Sequence, residues 1–593
     1  LNPALPEDNV VMLTRFRGWA VFRGFSREIS SEYQKSFAHF KNTTEYYFEI
    51  PAGSGLFIPL KITLTFHTQE NHLNFSVKRI HAAGLSTPES EAEVFIIFRP
   101  DIENRIHHEV TKAYQGPEQM YSGQTKSVNN GFHFQDQERK LRIKGKDLRF
   151  VWEPEWTYNI AYPIEYERGI EARGDLFSPG YFTFRLKENE EKKLLASVYG
   201  EKEEATEKPE FSNLKFPEPL MVSRKEILRD AIRKFIVNRV EQKTIIAGYP
   251  WFLDWGRDTL ICLRGIIHAG FQQEAREIIM EFAAFEEKGT LPNVISGTDT
   301  SNRDTSDAPL WLFVAIQEYQ KTTGENISDE LCNGILVKDI LKSIATHYIE
   351  GTPNGIRMDE ESGLIYSPAH FTWMDTNYPA GTPRQGYPIE IQALWCNALE
   401  FMGKKFPSER KWKTWLHRTK TSIKALYTCE IERPGHFKNE MIFLSDCLHT
   451  ENFQPAKNAI KDDHLRPNQL FAITLGALED KVLSEQILYA CEELLVPGAI
   501  RTLADQDTEF PLQIRLKDKI LCNPHHPYQG KYSGEEDHFR KPAYHNGTAW
   551  TWPFPSYAEA LTIVYGDRGL KKARSFLNSS FLLMNEDCIN QLP

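Results

Sequence analysis

The first 261 residues contain no cysteine. The eight that follow (Cys262, Cys332, Cys396, Cys429, Cys447, Cys491, Cys522 and Cys588) are widely spaced, with no CxxC and no cysteine–histidine zinc pattern. This argues against a disulfide framework and a zinc module and points to a reducing, cytoplasmic compartment. No apolar run approaches the ~18 residues that a membrane-spanning helix requires, so a membrane is not an expected partner. Positive charge is also short: 70 Lys and Arg stand against 81 Asp and Glu, a formal charge of -11. The diffuse basic surface that grips phosphate backbones is missing, and nucleic acid is not expected either. The chain opens at Leu1 without a methionine or a charged-then-apolar leader and stops at Pro593, so either end can be a fragment boundary.

What is present is 593 residues with 41% hydrophobic and 25% charged content, an ordinary globular composition with room for several domains at roughly 150 residues each. Two periodicities divide the chain. From about Val10 to Val198, short apolar and aromatic runs alternate with period two, as in GLFIPLKITLTFH, HLNFSVKRI and GYFTFRLKE, broken by Gly, Pro, Asn and Asp. That pattern predicts an antiparallel β-sandwich over 1–199. The charged, Pro-containing stretch 200–217 reads as a linker. Over 218–593 the period becomes 3.6, with helices expected near 223–244, 257–270, 272–287, 308–323, 334–350, 386–404, 408–427, 466–479, 482–495, 548–565 and 568–584. Almost no strand is expected there. Helices joined by long loops suit a ring of helical hairpins whose loops build a site at one end. No fixed repeat supports a superhelical array.

Four segments concentrate polar and aromatic residues. In GYPWFLDWGRDTL, from Gly248, Asp254 can cap the following helix, Arg257 and Asp258 follow on one face, and Trp251 and Trp255 flank them. Aromatic faces beside carboxylates and a guanidinium suit a sugar, though a capped helix with an ion pair and core tryptophans explains the same residues. In TSNRDTSDAPLWLF, Asp307 precedes a helix carrying Trp311; a helix cap and a core anchor are the plainer reading. In FTWMDTNYPAGTPRQGYPIEIQALW, from Phe371, Asp375 follows Trp373 in a Pro/Gly-rich loop where apolar surroundings would keep a carboxyl protonated and able to donate to a leaving oxygen. Arg384 follows, and Glu390 opens the next helix. In AYHNGTAWTWPFPSYAEAL, from Ala543, His545 and Asn546 can bond hydroxyls while Trp550 and Trp552 can stack. These segments hold seven of the 12 tryptophans, a grouping that scatter would not favour.

GYPWFLDWGRDT, TSDAPLWLF, GLIYSPAHFTWMD, TPRQGYPIEIQALWCNAL, GAIRTL and YHNGTAWTWPFPSYAEA, in that order, resemble successive motifs of the glycogen debranching enzyme C-terminal family, the amylo-α-1,6-glucosidases of microbial type. GYPIEIQALW also resembles neutral invertases, and ERGIEARGDLFSPGYFTFRL resembles the sandwich region that precedes the catalytic ring in microbial debranching enzymes. The resemblance implies an (α/α)6 toroid and inverting hydrolysis of α-1,6-linked glucose stubs on glycogen or a limit dextrin, with no metal or other cofactor. It makes Asp375 the general acid and places Trp251, Asp254, Trp255, Arg257, Asp258, Asp307, Trp373, Arg384, Glu390, His545 and Trp550 at the sugar, with Trp311 and Asn546 as further substrate-binding candidates from their own segments. In family members the general base is expected in a motif that would fall just beyond Pro593, which implies a chain missing its last helix. Eukaryotic relatives carry Pro-Glu where this chain has Thr548-Ala549, so no base carries over there. Glu559, Glu586 and Asp587 are the in-chain substitutes and read more simply as surface charges. An α/α-toroid glycosidase acting on another glucoside such as sucrose, and a non-catalytic glucan-binding protein, are the alternatives. Oligomeric state is not legible.

Overall fold

The computed structural model describes residues 9–53, 55–67, 71–81, 93–106, 109–136, 139–200, 223–239, 242–250, 252–378, 382–432, 440–584 and 592. Trp251, Glu586, Asp587, Cys588 and the expected linker beyond position 200 lie outside the described residues. The chain divides into two units, Leu1–Ile227 and Leu228–Pro593.

The first unit consists of two antiparallel sheets. A five-stranded sheet has Val94–Ile106 at its centre, and an eight-stranded sheet contains Leu56–His67, His72–Arg79 and Glu191–Gly200 as neighbours. Period-two alternation explains the layering, because every second side chain of a strand faces inward. In His72–Arg79, Phe75, Val77 and Arg79 are buried while their neighbours are only partly covered. Phe98 and Phe182 face each other across adjacent strands of the smaller sheet, and Phe98 meets Phe75 of the larger sheet edge-on at 5.0 Å. The two inner faces thus share one core. Asp101 and Glu103 depart from the pattern: both are buried, and Arg15 and Arg17 satisfy Asp101 at 2.7 and 2.8 Å.

Helix α1 (Arg224–Phe235) crosses the boundary between the units, and the principal helices of the second unit after it are α2 (Gly256–His268), α3 (Gln272–Ala284), α4 (Ala308–Thr323), α5 (Val337–Glu350), α6 (Ile389–Lys405), α7 (Lys411–Tyr427), α8 (Leu470–Thr474), α9 (Lys481–Cys491), α10 (Phe554–Tyr565) and α11 (Asp567–Ser579). They form two layers. Helices α2, α4, α6, α8 and α10 pack each on the next, while α3, α5, α7, α9 and α11 lie against them. Burial follows the layering: α4 and α6 are buried nearly all round, whereas α7 buries one stripe. Arg264 of α2 reaches Glu559 of α10 at 2.9 Å, joining the first and last of the inner series.

Three expected helices change in the structure. The helix expected over 223–244 ends at Phe235, and Ile236–Arg239 pairs with Gln242–Ile245 as a hairpin, because Ile236, Val237, Thr244 and Ile245 are β-branched and favour strand. The helix expected over 466–479 shrinks to Leu470–Thr474 after a 3-10 turn at Pro467–Gln469, and Gly476 then takes φ 72°. The helix expected from 548 starts only at Phe554, after Pro553, while Ala549–Trp550 pairs with Ile500–Arg501 as a strand. Short strands also close other loops, as where Gly386–Pro388 pairs with Cys447–His449. The expectation of almost no strand is corrected accordingly. Among the described residues no helix is long and apolar enough to cross a membrane.

The α10–α11 hairpin closes only because position 569 lacks a side chain: a Cβ there would lie 1.9 Å from the carbonyl oxygen of Leu561. Gly569→Ala is expected to destabilise the second unit by about 1–3 kcal/mol, the range for overpacking. Urea unfolding followed by helical circular dichroism checks it, and an unchanged midpoint would contradict the close packing.

Candidate active site

The helix α2 entry is set by backbone. Asp254–Trp255 pairs with Val294–Ile295, and Gly256 lies where a Cβ would meet the carbonyl of Pro292 at 2.4 Å. This close approach turns Arg257, the second residue of α2, into the interior. Asp254 does not cap the helix, as its spacing suggests. Its buried carboxylate accepts from Arg239 Nε at 3.1 Å and Thr244 Oγ1 at 2.6 Å, so it holds the hairpin before α2.

Arg257 links two carboxylates: Nε donates to Asp307 Oδ2 at 2.6 Å and Nη1 to Asp375 Oδ2 at 3.1 Å. Thr305 Oγ1 supplies Asp307 Oδ1 with a further bond at 2.7 Å. Burial opposes charge on Arg257, but the two aspartates outweigh it and keep the guanidinium ionised. Asp307 is buried, whereas the Asp375 side chain is 34% exposed. Burial within the loop pushes Asp375 above the usual carboxylate value, and Arg257 pulls it partly back. Such a carboxyl, open on one side and biased toward its protonated form, is equipped to donate a proton. Asp258 is solvent-exposed in the first turn of α2, with protein crowded around it. Burial there pushes it up to about 6, against Arg257 and with the Asp375 charge adding to the rise.

The loop bearing Asp375 is braced at both ends. His370 and Arg384 adopt left-handed φ values of 64° and 45°, uncommon for residues with a Cβ and maintained only where surroundings over-determine them. For Arg384 those surroundings are a buried network. Its guanidinium donates to Asp446 Oδ2 at 2.6 Å, to Glu390 Oε2 at 2.6 Å and to Thr372 Oγ1 at 2.8 Å. Beside the loop stands an aromatic wall. Trp373 packs edge-on against Trp552 at 4.9 Å and Trp550 at 5.8 Å, and His545 stacks on Trp550 at 5.7 Å. Tyr544 packs on Trp550 at 4.8 Å. Thr376 Oγ1 lies 3.0 Å from His545 Nδ1, tying wall to loop. Burial and the nearby arginines hold His545 well below its ordinary value, so the imidazole is neutral.

Geometry therefore gathers Arg257, Asp258, Asp307, Trp373, Asp375, His545 and Trp550, which come from four separate segments, while Trp255 is half-buried at the α2 entry. Other residues assigned to the sugar stand behind the surface. Asp254, Arg384, Glu390 and Asn546 are buried and their polar atoms already partnered, so they act as supports. Trp311 lies in the helical core, edge-on to Phe471 at 5.8 Å, the anchor role of its plainer reading. Glu559 is held by Arg264 through both oxygens, at 2.9 and 3.1 Å. Sequence reasoning missed Asp446, Arg466, Asn468, Thr376 and Tyr544. For Asp446, Arg466 and Asn468 the signal was polar residues beside apolar stretches, as in RPNQLFAIT, and Thr376 and Tyr544 adjoin Asp375 and His545 in sequence. Among the described residues no cluster of three or more His, Cys, Asp or Glu is placed to hold a metal ion.

Comparison with known proteins adds the following. The family model described as amylo-alpha-1,6-glucosidase matches residues 230–593, and that described as glycogen debranching enzyme N terminal matches residues 1–193. A glycogen debranching enzyme from Saccharomyces cerevisiae is 22% identical over 399 residues, covering 54% of this chain and 25% of its own length. The chain thus spans about a quarter of that relative. Among solved structures, a family 76 glycoside hydrolase from a bovine Bacteroides thetaiotaomicron strain aligns over 75% of this chain and 86% of its own, at 9% identity and a TM-score of 0.35. A heparinase III aligns over 28% of this chain and 21% of its own, at 11% identity and a TM-score of 0.17.

Asp258 gives a pH-dependent prediction. Its folded value, about 6, exceeds the ~3.9 of a free aspartate, so the folded state holds this proton more tightly than the unfolded one. The associated stability is complete below the unfolded value and lost as pH rises through the folded one. Asp258→Asn, which cannot ionise, is expected to melt above the parent at neutral pH, with the gain vanishing near the unfolded aspartate value. Scanning calorimetry across that range checks it; a gain independent of pH would contradict the raised value.

Proposed function

The chain belongs to the amylo-alpha-1,6-glucosidase family, and from that premise we propose that it removes α-1,6-linked glucose stubs from a branched α-glucan such as glycogen or a limit dextrin, with inversion. The observation that carries this reading is Asp375: a part-exposed carboxyl raised by burial, oriented by Arg257 and bordered by the Trp373, Trp550 and His545 wall. The layered helices fit an (α/α)6 toroid over 218–593 preceded by a sandwich over 1–199, with the site at the loop end of the inner series.

In the proposed reaction the terminal glucose lies against the aromatic wall, its C–H faces on the rings. Asp258, exposed beside them, takes a hydroxyl. Protonated Asp375 donates to the glycosidic oxygen as the bond to the anomeric carbon breaks, so the leaving alcohol departs neutral. Water enters from the opposite face and gives its proton to a second carboxylate, which inversion requires at about 6.5–9.5 Å from the first. The two-oxygen ion pair of Glu559 with Arg264 speaks against Glu559 in that role.

Incubating the full chain with a limit dextrin and following the released sugar by NMR should show β-glucose first. Initial α-glucose, or no glucose, would refute inverting hydrolysis. Asp375→Asn should lower kcat by about 10²–10⁴-fold, the range for general acid catalysis. Parent activity should fall as pH rises past the elevated Asp375 value, since only the protonated form donates. Fructose release from sucrose, run in parallel, should be far slower than glucose release from the dextrin.

A further inference from the structure

Arg466-Pro467-Asn468-Gln469 reads in sequence as no more than a helix entry, yet its three polar side chains are all buried. They bond outward to the segments that build the site. Asn468 Oδ1 accepts from the Trp373 indole at 2.7 Å, and its Nδ2 donates to Asp446 Oδ1 at 2.7 Å. Arg466 Nη2 donates to Asn546 Oδ1 at 3.0 Å, and its Nη1 to the carbonyls of His545 and of Thr502, the latter at 3.0 Å. Gln469 Oε1 accepts from the Leu444 amide at 2.9 Å, which anchors the turn beside the strand preceding Asp446.

The chemistry of position 468 is narrow. An indole N–H only donates and an ionised carboxylate only accepts, so the residue between them must accept on one side and donate on the other. Asparagine does both. Aspartate would set a second carboxylate against Asp446, and leucine, of similar size, would leave the buried indole N–H without its partner and Asp446 Oδ1 with Arg384 Nη2 at 3.1 Å as its remaining donor. The polarity therefore runs in one direction: Trp373 donates to Asn468, Asn468 to Asp446, and Arg384 also to Asp446. Along the loop, Thr372 is held by Arg384 at 2.8 Å, the Met374 carbonyl by Thr382 Oγ1 at 3.2 Å and Asp375 by Arg257 at 3.1 Å. Trp373, two residues before the carboxyl, has Asn468 as its polar partner.

We propose that Asn468 is a positioning residue: by fixing the Trp373 indole to the buried Asp446–Arg384 pair it sets where the Asp375 carboxyl stands relative to the glycosidic oxygen. This rests on Asp375 being the general acid. Asn468→Ala and Asn468→Leu both remove the acceptor, the second while keeping the side chain's size; melting curves report whether each variant folds. Turnover is compared on a limit dextrin, whose leaving oxygen needs a proton, and on α-glucosyl fluoride, whose fluoride departs with far less help. In both variants kcat on the dextrin should fall about ten- to a hundredfold, part of the ~10²–10⁴-fold that general acid catalysis supplies, while kcat on the fluoride changes less than about threefold.

Equal loss on the two substrates, or no loss, overturns the proposal. Asp375→Asn measured alongside separates the two levels. Full dextrin turnover in that variant refutes the acid assignment itself, whereas a selective loss there without one in Asn468→Ala refutes only the positioning role. Calorimetric binding of 1-deoxynojirimycin, a cationic glucose mimic, gives a reading independent of turnover. Asn468→Ala should shift the pH midpoint of binding, and parent-like affinity with an unmoved midpoint overturns the proposal.

Discussion

A buried charge must be matched where it lies, and in the second unit that constraint centres on Asp446. Its side chain is 1% exposed, and removing one partner from a buried pair costs about 3–5 kcal/mol, so its surroundings are not free to vary. Arg384 and Asn468 converge on its two oxygens, and Arg466 Nε lies 3.5 Å away. The Asp446 backbone amide is held in turn by Asp462 Oδ1 at 2.9 Å. Although burial opposes it, bonding from His449 and His464 holds Asp462 well below the usual carboxylate range. The left-handed backbone of Arg384, uphill by about 1–3 kcal/mol in isolation, persists because so many bonds require its guanidinium to be there.

The site repeats this logic at its edge. Arg257 is buried and shared between Asp307, which is also buried, and Asp375, which reaches solvent on one side. An interior carboxylate thereby fixes the guanidinium, and the guanidinium fixes a carboxyl that remains able to exchange its proton. Full burial would cut Asp375 off from solvent, and full exposure would return it to an ordinary ionised aspartate. Asp258, on the same helix turn, is raised by the same surroundings, so the site holds charge at a cost that the layered helices offset elsewhere.

Much of the architecture was legible because period is a property of neighbours in sequence. Alternation over the first unit and the 3.6 period over the second both reflect which side chains share a face. Legibility failed where local rules competed. Ile236 to Ile245 has apolar spacing that suits a helix, yet its β-branched residues pair as a hairpin. At Arg466–Gln469 the polar side chains serve tertiary partners and the regular helix is delayed to Leu470. Among site residues, Asp375 and its tryptophans stood out by type and grouping. Arg384 and Glu390 stood out equally but lie underneath, because residue type does not state depth.

By itself, then, the sequence determined two units of different periodicity, an acidic chain without a membrane-length apolar run, and the segments in which carboxylates and tryptophans gather. These are local quantities, readable from composition and spacing. Only the tertiary structure decided which of those residues meet. Arg257 and Asp375 are 118 positions apart, and Trp373 and Asn468 are 95 apart, separations over which no periodicity carries information. It also decided which residues face the opening and which support it, since a carboxylate's depth, partners and affinity for its proton depend on what the rest of the chain packs around it.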